Sequence, residues 1–373
     1  MEDFSCTSGT MSEDIFNSEF LLAGTNKVLR NRSVLAALTN KQSNDDGSLT
    51  EEEIKWLERR AHDGFAIITT AAAFVHPSGK SWSGELGVHS DEMLPGLIDL
   101  AGRLNSHGAI SLVQIFHGGM RAPTEITGKT PISSSRNRTN QSSTNFSRAM
   151  LEPEIKEAVR WYVDAAIRCH KAGFDGVEIH GAHGYLITQF LGKKTNKRSD
   201  EWGGTLRNRS RFLIEIVRGI RRATPRDFVV AVRISPEYPS CGVTVDESIT
   251  VSKILVKEGI DILHLSCWDI NNKTQYKNEQ LPITRIFSKQ LGEKITLITT
   301  GSIWDDSDVN EAFNQGADLI GVGRAGIAHP DWPRRVFTAD NRRPPFTKLH
   351  LSKADLSPKF IDYMQLWEGF VDG

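Results

Sequence analysis

Eight short runs rich in β-branched residues punctuate the chain, and each is followed by a stretch in which apolar residues return every three or four positions. In order they are RSVLAAL (32–38), FAIITT (65–70), AISLVQI (109–115), FDGVEIHG (174–181), VVAVRIS (229–235), DILHLS (261–266), ITLITTG (295–301) and LIGVGR (319–324). Between them, TEEEIKWLERRAHDG (50–64) sets Thr50 and Glu53 at the spacing of a capping box and ends on Gly64. EPEIKEAVRWYVDAAIRCHKAG (152–173) and TVDESITVSKILVKEG (244–259) repeat that pattern, each stopping at a glycine. Strands that alternate with helices make a parallel sheet. Eight such units predict an α/β fold of the closed (β/α)8 TIM barrel type, one domain over residues 1–373. An open doubly wound sheet is the alternative, but eight regular units exceed its usual strand count.

Composition narrows the partners. Of 373 residues, 39% are hydrophobic and 24% charged, with a formal net charge of -1, so electrostatics favours neither nucleic acid nor an anionic membrane. The start is acidic, with no Lys or Arg before Lys27, the wrong polarity for a secretory or transit segment. No apolar run approaches the roughly 20 residues that cross a bilayer. Cys6, Cys169, Cys241 and Cys267 are far apart, without CxxC or zinc-like spacing. The expectation is a cytoplasmic protein with reduced thiols and a small-molecule substrate.

In (β/α)8 barrels the chemistry lies where strands end and βα loops begin. The longest connection, about 117–150, is rich in Ser, Thr and Asn and reads as a mobile capping loop over the mouth. In VEIHG, the two-residue period sets Glu178 and His180 on one face, inside the barrel, with His183 and Tyr185 just past the strand end. A lone histidine there would be a satisfied core residue. Two histidines and a tyrosine in one strand exit point to function. His-x-x-His can chelate zinc, but the turn supplies no third ligand and the chain has no HExxH helix. The other reading is a pair of imidazole donors holding an oxygen that gains negative charge, beside a phenol able to give a proton.

The last two strands end in TTGSI (299–303) and GVGRAG (321–326), where barrels often bind phosphate through backbone N–H groups. The glycines let a ligand approach, and Arg324 offers a charged fork. Gln114 and Arg233 are polar within apolar strands and must find partners. For Arg233 these are a salt bridge to Glu178 or a cofactor, or both.

Together these residues resemble the Old Yellow Enzyme family of FMN-dependent oxidoreductases, from about Phe20 to Phe370. The most specific stretches are AGFDGVEIHGAHGYLITQFL and TNKRSDEWGGTLRNRSRFLIEIV (195–217). LRNRSVLAALT (29–39), HPSGKSW (76–82) and GVGRAGIAHPDW (321–332) support them. The resemblance implies non-covalent FMN, NAD(P)H as reductant, and ping-pong transfer of hydride from the flavin to an activated alkene, a quinone or a similar acceptor. By position, His180 and His183 would hold the carbonyl oxygen and Tyr185 would give the proton. Gln114, Arg233 and Thr39 would contact the flavin ring edges, and Ala37 and Ala72 would line the ring. Gly301, Ser302, Gly323 and Arg324 would bind the phosphate.

Three stretches depart from the family pattern: Lys41 stands where relatives carry an aromatic, His117 and Arg121 sit in a stretch one residue longer than usual, and GKKTN (192–196) replaces a Ser-Pro pair. A flavin-binding carrier or sensor without turnover, and a metal-dependent barrel hydrolase, are the alternative functions. The helical tail, about 346–373, is expected to pack on its own barrel, with a homo-oligomer contact as the alternative.

Overall fold

The computed structural model describes residues 8–338 and 341–372; Cys6 lies outside them. Eight parallel strands close on themselves: β1 (Ser33–Leu35), β2 (Ile67–Phe74), β3 (Ile110–Phe116), β4 (Gly176–Gly181), β5 (Val229–Ile234), β6 (Ile262–Ser266), β7 (Thr296–Thr300) and β8 (Leu319–Val322). Each pairs with its chain neighbours, and β8 pairs back to β1. The strands are ringed by α1 (Glu51–His62), α2 (Leu94–Ser106), α3 (Glu152–Lys171), α4 (Leu206–Ala223), α5 (Val245–Lys257), α6 (Ile283–Leu291), α7 (Asp306–Asn314) and the short α8 (Arg324–Ala328). The expected (β/α)8 barrel is therefore present. Two boundaries differ. β1 is shorter because Ala37 and Leu38 leave the ladder for the cavity, and β2 runs on through a register shift between Thr69 and Ala72. Its alanines carry little strand propensity, so that extension was hidden.

Alternation along each strand divides the barrel interior into layers. Near the strand starts, Val34, Ile67, Leu112, Val229, Ala231, Ile262, Ile298 and Leu319 form an apolar cluster. Leu22 and Leu29 join it from a hairpin that pairs Phe20–Leu21 with Val28–Leu29. One step higher the interior turns polar. Register sets Gln114 beside Glu178, and Arg233 beside both His180 and His264. The cavity opens above this polar layer.

Two arginine and glutamate positions anchor the outer layer in ways spacing did not show. Thr50 caps α1 by accepting the Glu53 N–H at 3.3 Å, but the Glu53 carboxylate does not return to complete a capping box. It is buried and takes hydrogen bonds from Asn40 (2.8 Å) and Ser43, bracing the β1–α1 connection. Arg60, fully buried and without a carboxylate partner, donates to the carbonyls of Trp56 (2.9 Å), Gly326 (3.0 Å) and Ile327 (2.8 Å). It therefore satisfies carbonyls of α8 that the helix cannot.

None of the 117–150 residues lines the main cavity, although Arg121 stands over the Tyr185 ring at its edge. Its hydroxyls and amides are spent inward. Ser133 and Ser134 donate to Gln189 (2.8 Å each), and Asn137 donates to the Thr195 carbonyl (2.8 Å). A polar composition that would suit a solvated flap instead ties this segment to the helix after β4. Among the described residues, no helix is long and apolar enough to cross a membrane.

Replacing Arg60 by Met leaves the buried carbonyls of Gly326 and Ile327 without this donor, and unfolding in urea is expected to show a loss of about 3 kcal/mol. A loss below about 0.5 kcal/mol would show that α8 does not need this clamp.

Candidate active site

The strand ends converge on one cavity of about 480 Å³. Its lining contains every residue that the sequence marked: Ala37, Thr39, Ala72, Gln114, His180, His183, Tyr185, Arg233, Gly301, Ser302, Gly323 and Arg324. At the β4 exit, His183 (φ 59°) and Gly184 (φ 74°) both take the left-handed conformation, a reversal that sets the next side chain over the barrel. A Cβ on Gly184 would stand 2.9 Å from the Tyr238 ring, so glycine is needed there for space as well. The result is a cluster of three rings. His180 lies 5.0 Å from both His183 and Tyr185 between centroids, and His183 and Tyr185 are 6.5 Å apart. Phe116 packs edge-on against Tyr185 at 4.5 Å and closes the apolar side.

Protonation in this cluster follows from burial. Desolvation carries the His180 imidazole well below its ordinary pKa of 6.5, and the positive charges of Arg233 and Arg121 add to the fall. His183 drops to about 3 for the same reasons. Both rings are neutral at physiological pH. His180 Nδ1 accepts the Ala182 N–H at 3.2 Å, so its proton sits on Nε2. Arg233 can only donate, and it gives Nη2–H to Ser266 Oγ at 3.0 Å. Ser266 Oγ also lies 2.8 Å from His183 Nε2, with a proton to give and a second lone pair to offer. Burial raises the Tyr185 phenol above its usual range, partly offset by Arg121, whose guanidinium stands 4.4 Å from the ring centroid. Two neutral N–H donors and a protonated phenol thus face the cavity together.

Beneath them lies a sealed polar layer. Glu178 accepts from Gln114 Nε2 at 2.7 Å and from His264 Nδ1 at 2.6 Å, and Thr300 closes the chain against His264 Nε2 at 2.7 Å. Burial alone would raise the Glu178 pKa, but His264, Arg233 and Gln114 outweigh it and keep the carboxyl ionised. His264 stays neutral, donating to Glu178. The expected Arg233–Glu178 salt bridge is absent from this arrangement: the carboxylate is already taken by Gln114 and His264, and Arg233 reaches the Ala37 carbonyl (3.2 Å) and Ser266. Arg233 Nε is buried without a partner.

The departures sort by position. Lys41 has a left-handed backbone (φ 55°) and its ammonium lies 4.9 Å from the Tyr363 ring, outside the cavity lining. His117 is buried away from the cavity, neutral, with Nε2 3.1 Å from Ser78 Oγ. Lys193 pairs with Glu247 and Lys194 with the Pro239 carbonyl, so neither enters the site. Arg121 does reach it, donating to the His183 carbonyl at 2.6 Å. The sequence also left residues unmarked: Trp82, Ser266, Trp268, Thr300, Trp304, Tyr363 and Trp367 all line the cavity. Ser266 had a legible signal, two positions after His264 on an alternating strand. The tail residues had only their helical spacing, which says that they pack and not against what.

Residues 22–342 match the model of the NADH:flavin oxidoreductase / NADH oxidase family. The chain belongs to this family. It is 35% identical over 315 residues to a probable NADH-dependent flavin oxidoreductase of Bacillus subtilis (strain 168), covering 83% of this chain and 84% of that protein. An NADH oxidase of Thermoanaerobacter brockii is 34% identical over 321 residues, but this chain spans only 49% of its length. Among solved structures, an old yellow enzyme homologue from Zymomonas mobilis matches with a TM-score of 0.79 at 26% identity, over 92% of this chain and 98% of that one. The protein is thus an oxidoreductase of the Old Yellow Enzyme type, with FMN as cofactor and a nicotinamide nucleotide as reductant.

The residues present fit FMN. Arg233 leaves a buried Nε unpaired at the cavity floor, and Gln114, its Nε2 committed to Glu178, has its acceptor oxygen to offer. Among the described residues Arg324, exposed to solvent, has no carboxylate partner and one side-chain hydrogen bond, to Ser302 Oγ at 3.3 Å, which leaves its charge for a phosphate. The glycines need a correction. A Cβ at Gly301 would come within 2.6 Å of the Cys267 carbonyl, so packing against the β6 exit already requires glycine there, whatever the ligand.

Neutral buried histidines have a pH consequence. The unfolded chain binds their protons below about pH 6.5 and the folded one does not, so their burial costs stability as pH falls from 6.5 toward 3. Replacing both His180 and His183 by Asn is expected to flatten the slope of denaturation free energy against pH in that window. An unchanged slope would mean that the folded protein protonates them as readily as water does.

Proposed function

We propose that the protein reduces activated alkenes such as enones, with His180 and His183 holding the carbonyl oxygen and Tyr185 supplying the proton. The observation that carries this reading is the three-ring cluster over the cavity, with both imidazoles neutral and the phenol protonated. FMN, when bound, supplies the hydride and takes its own from NAD(P)H. In this reading Gln114, Arg233 and Thr39 hold the edges of its ring, Ala37 and Ala72 its faces, and Gly301, Ser302, Gly323 and Arg324 its phosphate.

The residues divide the work as follows. Reduction at the β-carbon of an enone moves electron density to the carbonyl oxygen. Nε2–H of His180 and Nδ1–H of His183 meet that oxygen without giving up a full proton, and each such donor contributes on the order of 3 kcal/mol in comparable oxyanion sites. In this reading Ser266, engaged by Arg233, gives its own proton to His183 Nε2 and leaves Nδ1–H for the substrate. The Tyr185 O–H bond then breaks as its proton forms the new C–H bond at the α-carbon, leaving a phenolate on Tyr185, and the raised pKa keeps that proton available across the physiological range. The Phe116 face and the Trp82 ring beside it keep water from the phenol.

Purified protein should be yellow; anaerobic NADH or NADPH should bleach it, and an enone should restore the colour. Tyr185→Phe is expected to slow reoxidation by enone about 100-fold while flavin reduction by the nucleotide stays within two-fold. Equal losses in the two half-reactions would contradict the proton-donor role. His180→Ala combined with His183→Ala should weaken the binding of phenols, whose oxygen imitates the enolate, and unaltered phenol affinity would remove the histidines from that task.

A further inference from the structure

Proton delivery leaves a charge behind. In the proposed reaction the electron pair of the broken Tyr185 O–H bond stays on the phenol oxygen, so the negative charge moves from the substrate oxygen to a partly buried ring. A charge without compensation there slows the step that creates it. Phe116, edge-on at 4.5 Å, and Trp82 beside it supply no charge, and His180 and His183 are neutral. Arg121 does supply one: its guanidinium carbon lies 4.4 Å from the Tyr185 ring centroid. Among the described residues no carboxylate pairs with Arg121, and its guanidinium donates to the His183 carbonyl at 2.6 Å.

Two turns are bolted together to hold this pair. Gly119–Arg121 form one 3₁₀ turn at the end of β3, and Tyr185 follows the left-handed turn at the end of β4. The buried Gln189 side chain spans them. Its Oε1 accepts the Met120 N–H at 3.0 Å, and its Nε2 donates to the Gly118 carbonyl at 3.2 Å and the Gly184 carbonyl at 2.8 Å. Gly119 is left-handed (φ 62°), and a Cβ there would stand 2.4 Å from Gln189 Oε1. The Leu186 N–H adds a bond to the His117 carbonyl at 3.1 Å. Backbone on both sides thus places Arg121 over Tyr185, although the arginine itself is exposed.

We propose that Arg121 is a positioning residue that acts through Tyr185, stabilising the phenolate that proton delivery leaves. A cation over an aromatic face gains more as the ring turns anionic. The inference rests on the alkene-reduction reading above and adds the group that carries the charge once the proton has gone; a solvent proton then restores the phenol. The other titratable groups that face the ring are Glu85 from the β2–α2 connection, Tyr238 from the β5–α5 connection and Tyr363 from the tail, and each opposes the phenolate once ionised. Burial holds the Glu85 carboxyl well above its ordinary range and raises the Tyr363 phenol, so neither cancels Arg121 near neutral pH.

A difluorinated tyrosine at position 185, a stronger acid than tyrosine, brings the ionisation into an accessible range, and fluorine NMR of the FMN-loaded protein reads the phenolate directly. A guanidinium favours the anion, so its loss moves ionisation to higher pH. Arg121→Gln should raise the pH of half-ionisation by about one unit and slow reoxidation by an enone about five-fold. Arg121→Lys should recover part of both. An ionisation pH that does not move would overturn the inference, because slower reoxidation would then come from the lost clamp on the His183 carbonyl. Reduced parent protein that no enone reoxidises would sink the functional reading, and this inference with it.

Discussion

A carboxylate sealed inside a barrel organises this molecule. Glu178 is fully buried, in a layer that excludes bulk water, and an unpaired charge there would cost several kcal/mol. The structure surrounds it with donors: Gln114 from β3, His264 from β6 and the positive field of Arg233 from β5. Satisfying Glu178 therefore fixes the amide orientation of Gln114, the tautomer of His264 and the charge balance of Arg233. Of these groups Gln114 and Arg233 line the cavity floor, where the proposed reading rests the flavin ring. In that reading stability and cofactor geometry share one network.

The layer above inherits its protonation from that floor. Arg233 is not neutralised by a direct partner, and its charge, with that of Arg121, helps to hold His180 and His183 neutral after burial has done most of the work. Neutral imidazoles are the useful form here. A protonated pair would bind an oxyanion more tightly but would also repel each other at a 5.0 Å ring separation and could protonate the intermediate out of turn. In the proposed reaction the histidines serve as hydrogen-bond donors and proton delivery falls to Tyr185, whose raised pKa keeps its proton in place.

The sequence made legible what periodicity encodes. Two-residue alternation found Glu178 with His180, and polar interruptions in apolar strands found Gln114 and Arg233, because a strand fixes the side to which each residue points. It could not say that Glu178 would be claimed by His264 in preference to Arg233, since that choice depends on the register of three strands far apart in the chain. The 117–150 segment shows a related limit: Ser and Asn look alike in composition whether they bond water or, as Ser133 and Asn137 do, Gln189 and Thr195. Arg60 and Glu53 were silent because a charged residue on a helix normally faces solvent.

The mouth of the cavity follows a different logic from its floor. Trp82, Trp268, Tyr363 and Trp367 come from three segments that belong to no barrel strand, and Trp268 is 81% exposed. Tyr363 is held from behind by the ammonium of Lys41, and the helix Pro358–Met364 that carries it is pinned by Phe360 against Trp56. The rim is thus anchored to the outside of the barrel, through contacts that do not touch Glu178 or its donors. Because the two sets of contacts are separate, a change in the rim need not disturb the charge balance of the buried layer below it. Lys41 fits that separation: it supports Tyr363 at the rim and stays outside the lining of the cavity that the three rings face.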